Sequence, residues 1–207
     1  AHMAVCNGHA QVIVALSEAG VDLDKQDNSE DALIHIAVLG GHVSVVKALI
    51  RTGADVNVQN DWGYTPAHVA ASTGHAQFIV ILSEAGADLN KKANNGDAPI
   101  HLATLGDHFD VVKALIQAGA DLNIQNCLGD TFTHAAALKG YAWLITVFFE
   151  AGVDLDKQNN NGYTPAHAAA LRGHAGVIKE LARFDADLNM QNNKNRTPAH
   201  AAAHAGH

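Results

Sequence analysis

Six histidines at a constant spacing of 33 residues constrain the fold of this chain more than any other feature of its sequence. They are His35, His68, His101, His134, His167 and His200. A spacing that recurs without drift is typical of one structural unit copied in tandem, whose copies stack on their neighbours. The sequence therefore predicts a repeat array rather than a single large globular core.

Each period carries signals for two helices. A threonine before a proline, as in Thr65-Pro66, supplies an N-cap hydroxyl and a residue suited to the first helical position. A Gly-His pair such as Gly74-His75 predicts the turn to a second helix, in which apolar residues recur at helical spacing. Left-handed C-caps of the second helices are predicted at Gly20, Gly53, Gly86, Gly119 and Gly152.

These motifs resemble those of ankyrin-repeat proteins. The matching segments are Thr-Pro-x-His-x-Ala, the Gly-His turn and the Gly-Ala-Asp-x-Asn tail, at the 33-residue period of that family. The resemblance implies an all-α solenoid of helix pairs joined by β-hairpin-like loops, in a single domain over residues 1–207. We expect a partial repeat over 1–27, full repeats over 28–60, 61–93, 94–126, 127–159 and 160–192, and a partial repeat over 193–207. Because it starts within a first helix and stops before a second one, the chain is expected to be part of a longer array.

Charge and composition narrow the classes of partner. The net charge is −8 and no Lys/Arg cluster is present, which argues against binding to nucleic acid or to an anionic membrane surface. No apolar run approaches the ~20 residues of a membrane span. Cys6 and Cys127 lack a C-x-x-C spacing and are predicted to be free thiols in a reducing compartment. We therefore expect a cytoplasmic protein, and the nucleus or the cytosol of a host cell remain alternatives.

The 14 histidines do not point to a metal centre or a catalytic site. Equivalent residues of successive repeats lie about one helix diameter, ~10 Å, apart, whereas zinc ligands lie ~2 Å from the ion. His200 and His204 have a spacing that can bind zinc, but no Glu or Cys nearby completes a site. No nucleophile, phosphate or dinucleotide motif is present. We predict no metal, no cofactor and no enzymatic activity.

The resemblance implies that loop tips and first helices line a concave binding face. Exposed aromatic side chains there are typical of interface hot spots, and a row of exposed leucines is typical of the apolar patches at protein interfaces. The predicted contacts are Leu39, Trp62, Tyr64, Ser72, Thr73, Leu105, Leu128, Leu138, Lys139, Tyr163, Leu171 and Arg172, and the loop tips also carry Asp31, Asp130, Lys194 and Arg196. Trp143, on a second helix, is interpreted either as a second contact or as a packing adjustment around Tyr141.

These features predict a non-catalytic protein–protein interaction module with a protein partner. One alternative is a targeting or substrate-recognition arm of a larger enzyme or effector. Another is a substrate of an asparaginyl hydroxylase, because a leucine eight residues earlier and an aspartate two residues earlier resemble the context of such sites. The asparagines in that context are Asn57, Asn90, Asn123 and Asn189.

Overall fold

The computed structural model describes every residue from Ala1 to His207 and contains helices, turns and loops but no β-strand. The chain divides into two compact units, Ala1–Ala120 and Asp121–His207. Unit 1 contains α1 (His2–Cys6), α2 (Ala10–Glu18), α3 (Leu33–Leu39), α4 (Val43–Arg51), α5 (Pro66–Thr73), α6 (Ala76–Glu84), α7 (Pro99–Leu105) and α8 (Phe109–Gln117). Unit 2 contains α9 (Phe132–Lys139), α10 (Ala142–Glu150), α11 (Pro165–Leu171), α12 (Ala175–Arg183) and α13 (Pro198–Ala205). The predicted all-α repeat fold is confirmed.

The first helix of each repeat begins at a cap that the repeated histidine organises. In α5 the Thr65 hydroxyl oxygen accepts a hydrogen bond from the backbone N–H of His68, and the backbone N–H of Thr65 donates to the His68 Nδ1 atom at 3.1 Å. In α3 the cap residue is Ala32, which has no hydroxyl, yet its N–H still donates to Nδ1 of His35 at 3.1 Å. The histidine ring can therefore cap the helix where the threonine is missing.

The second helices end as the glycine pattern predicts. The five predicted C-cap glycines all have a positive φ, between 76° at Gly20 and 92° at Gly53. Asp185, which replaces this glycine after α12, also has a left-handed backbone, with a φ of 58°. A non-glycine residue in this region costs about 1 kcal/mol or more. The repeat geometry therefore overrides the local preference of Asp185.

Helices of the same kind stack within each unit. In unit 1, α3 packs on α5 and α5 on α7, while α2 packs on α4 and α6 on α8. In unit 2, α11 packs between α9 and α13, and α10 packs on α12. Small side chains make this close stacking possible, because Ala70 and Ala169 are fully buried between helices.

The apolar core of unit 2 contains an aromatic pair. Phe148 is fully buried, and its ring meets that of Phe132 edge to face at a centroid distance of 4.7 Å. Phe132 occupies the position that holds proline in four other repeats and leucine, Leu33, in one. The aromatic side chain fills the core there, which accounts for the loss of the proline.

Two further observations concern the chain as a whole. Cys6 and Cys127 are both free and exposed, in agreement with the predicted free thiols. No helix combines the length and the hydropathy that crossing a membrane requires.

Candidate partner-binding surface

The loop tip of residues 60–64 holds an exposed tryptophan on a fixed backbone. The side-chain oxygen of Asn60 accepts hydrogen bonds from the backbone N–H groups of Trp62 at 3.1 Å and Tyr64 at 2.9 Å. The turn itself is closed by the N–H of Gly63, which has a φ of 74° and donates to the Asn60 carbonyl at 2.8 Å. Trp62 is 57% exposed at the end of this turn.

Neighbouring tips in unit 1 are joined by hydrogen bonds. The Gln59 amide donates to the carbonyl oxygens of Gly63 at 2.7 Å and Lys92 at 3.1 Å. The backbone N–H of Asn94 donates to the Trp62 carbonyl at 3.0 Å. The tip is therefore anchored both to its own repeat and to the next one, which reduces the conformational freedom it can lose on binding.

Three histidines of the first helices, His35, His68 and His167, are buried structural groups in which burial disfavours the charged form. His68 is fully buried, and its Nε2 atom lies 3.0 Å from the carbonyl oxygen of Asp97 in the next repeat. Loss of solvation on burial lowers the pKa of His68 to about 4, and the same cause lowers the pKa values of His35 and His167. The structure contains no group of three or more His, Cys, Asp or Glu side chains placed to hold a metal ion.

A shallow depression of about 360 Å³ lies in unit 1 beside the tip of residues 60–64. Its lining comes from two consecutive tips and the first helices behind them, and consists of Asp31, His35, Leu39, Asn60, Trp62, Tyr64, Val69 and Ser72. Four predicted contacts, Leu39, Trp62, Tyr64 and Ser72, thus share one site with a carboxylate. The volume is near the lower end of the ~300–1,000 Å³ typical of ligand pockets.

The other predicted contacts of unit 1 differ in their exposure. Leu39 is 58% exposed and Ser72 is also exposed. Thr73 is half-buried, and its hydroxyl donates to the carbonyl oxygen of Val69 at 2.7 Å. Leu105 is half-buried as well. Leu39 and Ser72 are therefore the most accessible first-helix contacts of this unit.

In unit 2 most of the predicted contacts are exposed. They are Leu128, Leu138, Lys139, Leu171 and Arg172, whereas Tyr163 is half-buried. Tyr163 lies in a tip held like that of residues 60–64, because Asn159 accepts hydrogen bonds from its backbone N–H at 3.0 Å and from that of Asn161. The two leucines of first helices, Leu138 and Leu171, are 37% and 38% exposed.

The second helices of unit 2 carry an aromatic cluster that sequence reasoning missed. The rings of Phe149 and Phe184 stack at a centroid distance of 4.2 Å, and the Arg183 guanidinium lies 5.3 Å from the Phe184 ring centre. One signal was available, since Phe184 occupies a register that otherwise holds only alanine or threonine. Trp143 on α10 is 41% exposed, and both interpretations of it, contact or packing adjustment, remain predictions.

The loop tips of the two units differ in charge. In unit 1, segments 27–31, 60–64 and 93–97 contain the carboxylates of Asp27, Glu30, Asp31, Asp61 and Asp97 and no Lys or Arg. In unit 2, segments 126–130, 159–163 and 192–196 contain Asp130, Lys194 and Arg196. Asp97 is buried, whereas the other four acidic residues of unit 1 are exposed or half-buried. The accessible tips of unit 1 are therefore acidic.

A second depression, of about 490 Å³, lies between α12 and α13 in unit 2. Its lining is almost entirely apolar and includes Ala175, Ile178, Leu188 and Ala202. In unit 1 the matching face of α6 is covered by α8. The face of α12 that lines this depression is therefore of the kind on which neighbouring repeats stack.

Comparisons with known proteins agree with this geometry. A family model that describes three copies of the ankyrin repeat matches residues 1–93, 34–126, 80–158 and 132–207, which together span the chain. The structure is similar to that of the ankyrin repeat domain of Bcl-3, a member of the IkappaB protein family, with a TM-score of 0.89 and 25% identity over 97% of this chain and 92% of that one. It is also similar to the human ASB11 ankyrin repeat domain, with a TM-score of 0.83 and 27% identity over 97% of this chain and 90% of that one. No curated protein matches the sequence.

Proposed function

We propose that this chain, which belongs to the ankyrin-repeat family, is a non-catalytic module that binds a protein partner through its loop tips and first helices. Ankyrin repeat domains are generally protein–protein interaction modules. The observation that carries the proposal is Trp62, a large side chain left 57% exposed on a tip that hydrogen bonds hold in place. Tryptophan is enriched among the residues that dominate binding energy at protein interfaces.

The fixed tips support tight binding at small entropic cost. Immobilising a flexible side chain or loop on association typically costs about 0.5–1.5 kcal/mol per rotamer-rich side chain. The backbone around Trp62 is already fixed by Asn60 and by Asn94 of the next tip. The free energy gained by burying Trp62 and Leu39 is then available to the complex.

The titratable groups of the first helices support a non-catalytic role. A histidine that acts as a general base must have a free ring nitrogen within reach of a substrate. His68 uses both ring nitrogens in contacts within the repeat array, one at its own helix cap and one at the Asp97 carbonyl of the next repeat. His167 is engaged in the same way by Thr164 and the Arg196 carbonyl.

The proposed partner is a protein rather than nucleic acid or an anionic membrane surface. Acidic residues outnumber basic ones by 21 to 13, and a polyanion would meet the acidic tips of unit 1. The exposed free thiols of Cys6 and Cys127 are consistent with a reducing cytosol, where we expect the module to act. The same binding surface would also serve as the targeting arm of a larger enzyme or effector.

Affinity capture with this chain, followed by mass spectrometry, tests the proposal. Proteins that bind through the tips are expected to be lost from the capture when Trp62 is replaced by Ala. Val80→Ser is the matched control, because Val80 is similarly exposed but lies on the second helix α6. A capture that is identical for wild type and Trp62→Ala would contradict binding through this tip.

Modification by an asparaginyl hydroxylase is a second proposal, favoured by the exposure of Asn90, Asn123 and Asn189. Asn57 is less suited, because its side-chain oxygen accepts the N–H of Asp88 at 2.7 Å and it is half-buried. The enzyme would insert one oxygen atom of O2 into a Cβ–H bond while 2-oxoglutarate is oxidised to succinate and CO2. Intact mass after incubation with such an enzyme tests this, and an unchanged mass would end the proposal.

A further inference from the structure

We propose that the depression in unit 1 binds an arginine side chain of the protein partner, between the Asp31 carboxylate and the Trp62 ring. This inference rests on the proposed function and adds to it the chemistry of the group that is recognised. The site combines one carboxylate, an exposed indole and apolar walls in a cavity of about 360 Å³. That volume is large enough to accommodate one long side chain.

Asp31 contributes a negative charge that its neighbours do not neutralise. Its carboxylate accepts a hydrogen bond from the Asn60 amide at 2.8 Å, which fixes its position but carries no charge. A protonated His35 could neutralise this charge, because its Nδ1 atom lies 4.0 Å from the Asp31 carboxylate. That nitrogen accepts the N–H of Ala32 while Nε2 lies 2.9 Å from the Tyr64 carbonyl, so the proton is on Nε2 and the ring is neutral.

The negative charges of the loop tips around Asp31 favour the binding of a cation in this depression. The exposed tip residues Asp27, Glu30 and Asp61 belong to the same unit, and its tips contain no Lys or Arg. Charges of one sign around a cleft raise the local concentration of ligands of the opposite sign. A positively charged side chain is therefore favoured over a neutral or acidic one in this depression.

The aromatic and apolar walls favour arginine in particular. A guanidinium is planar, stacks on aromatic faces and can donate two parallel hydrogen bonds to one carboxylate. Trp62 offers an exposed ring, and the neighbouring Tyr64 ring is held by stacking on His68 at a centroid distance of 5.4 Å. Leu39 and Val69 in the lining can contact the methylene groups of the arginine.

The matching position in unit 2 provides an internal comparison. Asp130 lies three repeats after Asp31, and its carboxylate accepts a hydrogen bond from the Asn159 amide at 2.7 Å. In this repeat Asn161 replaces Trp62, whereas the tyrosine is kept, because Tyr163 is the equivalent of Tyr64. The carboxylate and the tyrosine are thus retained without the tryptophan, so we expect no arginine site at Asp130.

The two tryptophans of the chain allow a direct test by nuclear magnetic resonance. The probe is N-acetylarginine amide, titrated into protein labelled with nitrogen-15, and its neutral control is N-acetylcitrulline amide, which has nearly the same shape. The proposal predicts that the arginine compound shifts the indole resonance of Trp62 and leaves that of Trp143 unchanged. It also predicts a binding constant at least tenfold weaker for the citrulline compound. Equal shifts with both compounds would overturn the proposal.

Three variants separate the contributions of charge and ring. Asp31→Asn keeps the shape and an acceptor oxygen for Asn60, and is expected to weaken arginine binding at least tenfold. Trp62→Asn installs the residue found in unit 2 and is expected to abolish it, as followed by the backbone resonances of Tyr64 and Ser72. Asp130→Asn, the matched control, is expected to bind as the wild type does. Wild-type binding by Asp31→Asn with an otherwise unchanged spectrum would overturn the proposal.

The test distinguishes this inference from the proposed function. If partner capture depends on Trp62 but not on Asp31, the module binds protein without an arginine site, and only the inference fails. If capture depends on neither residue while N-acetylarginine amide still binds, the depression recognises arginine without engaging the partner, and both the proposed use of this tip and the assignment of the arginine to the partner fail.

Discussion

The Nε2 atom of His68 lies 3.0 Å from the carbonyl oxygen of Asp97, at a separation of 29 residues along the chain. Because Nδ1 of the same ring accepts the backbone N–H of Thr65, the proton is on Nε2 and the ring donates to Asp97. One neutral imidazole therefore caps its own helix and joins it to the next repeat. A second proton on the ring would displace the cap hydrogen bond.

Acid is predicted to destabilise the fold through this ring. The pKa of His68 falls from its ordinary value of 6.5 to about 4 on burial, so the unfolded chain binds the proton more tightly than the folded one. Full stability is present above pH 6.5 and is lost as the pH falls from 6.5 towards 4, by about 3 kcal/mol for a shift of this size. Burial of His35 and His167 acts in the same direction.

Urea unfolding between pH 7.5 and 4 measures this effect. The slope of the free energy of unfolding against pH is expected to decrease in His68→Gln. His200→Gln is the control, because His200 has the same threonine cap but is exposed. Equal slopes in the two variants would contradict the role assigned to His68.

Gly74 is predicted to tolerate substitution less well than Gly86. Both have a left-handed backbone, with φ values of 78° and 85°. A Cβ at Gly74 would lie 2.8 Å from Nδ1 of His108, whose Nε2 is anchored 3.1 Å from the Ser72 carbonyl, whereas a Cβ at Gly86 meets nothing within 4 Å.

Gly86→Ala is therefore expected to lose about 1 kcal/mol from backbone strain alone, and Gly74→Ala distinctly more. Thermal and urea unfolding of the two variants provide the comparison. Equal losses would mean that the His108 ring moves aside freely.

Phe132→Pro is predicted to destabilise the chain although it restores the residue most common at this position in the repeat. The substitution removes the edge-to-face contact with Phe148 and leaves space in a fully buried site. Truncating a buried phenylalanine typically costs about 3–5 kcal/mol, and proline at a first helical position recovers only a small part. The midpoint of urea unfolding measures the net change in stability. A higher midpoint in Phe132→Pro than in the wild type would show that the aromatic pair contributes little to stability.

The repeated residues made the fold predictable, because each of them meets the same neighbours in every copy. The left-handed glycines and the histidine caps follow from local backbone chemistry, and the burial of Phe148 follows from its register. The exposure of Leu39 and Leu105 could not be predicted in this way. Both occupy one register, yet Leu39 is 58% exposed and Leu105 is half-buried.

The depression at Trp62 could not be predicted from the sequence pattern either. Its walls come from two consecutive repeats, so Asp31 and Trp62 are far apart in the sequence and are brought together only by stacking. The Phe149–Phe184 stack has the same origin, since Phe149 lies on α10 and Phe184 directly follows α12. The contacts of side chains at variable positions depend on which residues the neighbouring repeat carries.

The most direct test of the account is a triple variant, Leu39→Ser with Leu138→Ser and Leu171→Ser, compared with wild type and Val80→Ser. Affinity for a partner identified by capture and the midpoint of thermal unfolding are measured on the same samples. Leu39 is 58% exposed, so Leu39→Ser is expected to change stability by within about 0.5 kcal/mol. Leu138 and Leu171 are 37% and 38% exposed, so each of their substitutions is expected to cost about 1 kcal/mol, while partner binding is lost. Wild-type affinity in a stable triple variant would contradict binding through the first helices, and collapse of the fold would contradict the exposure of these leucines.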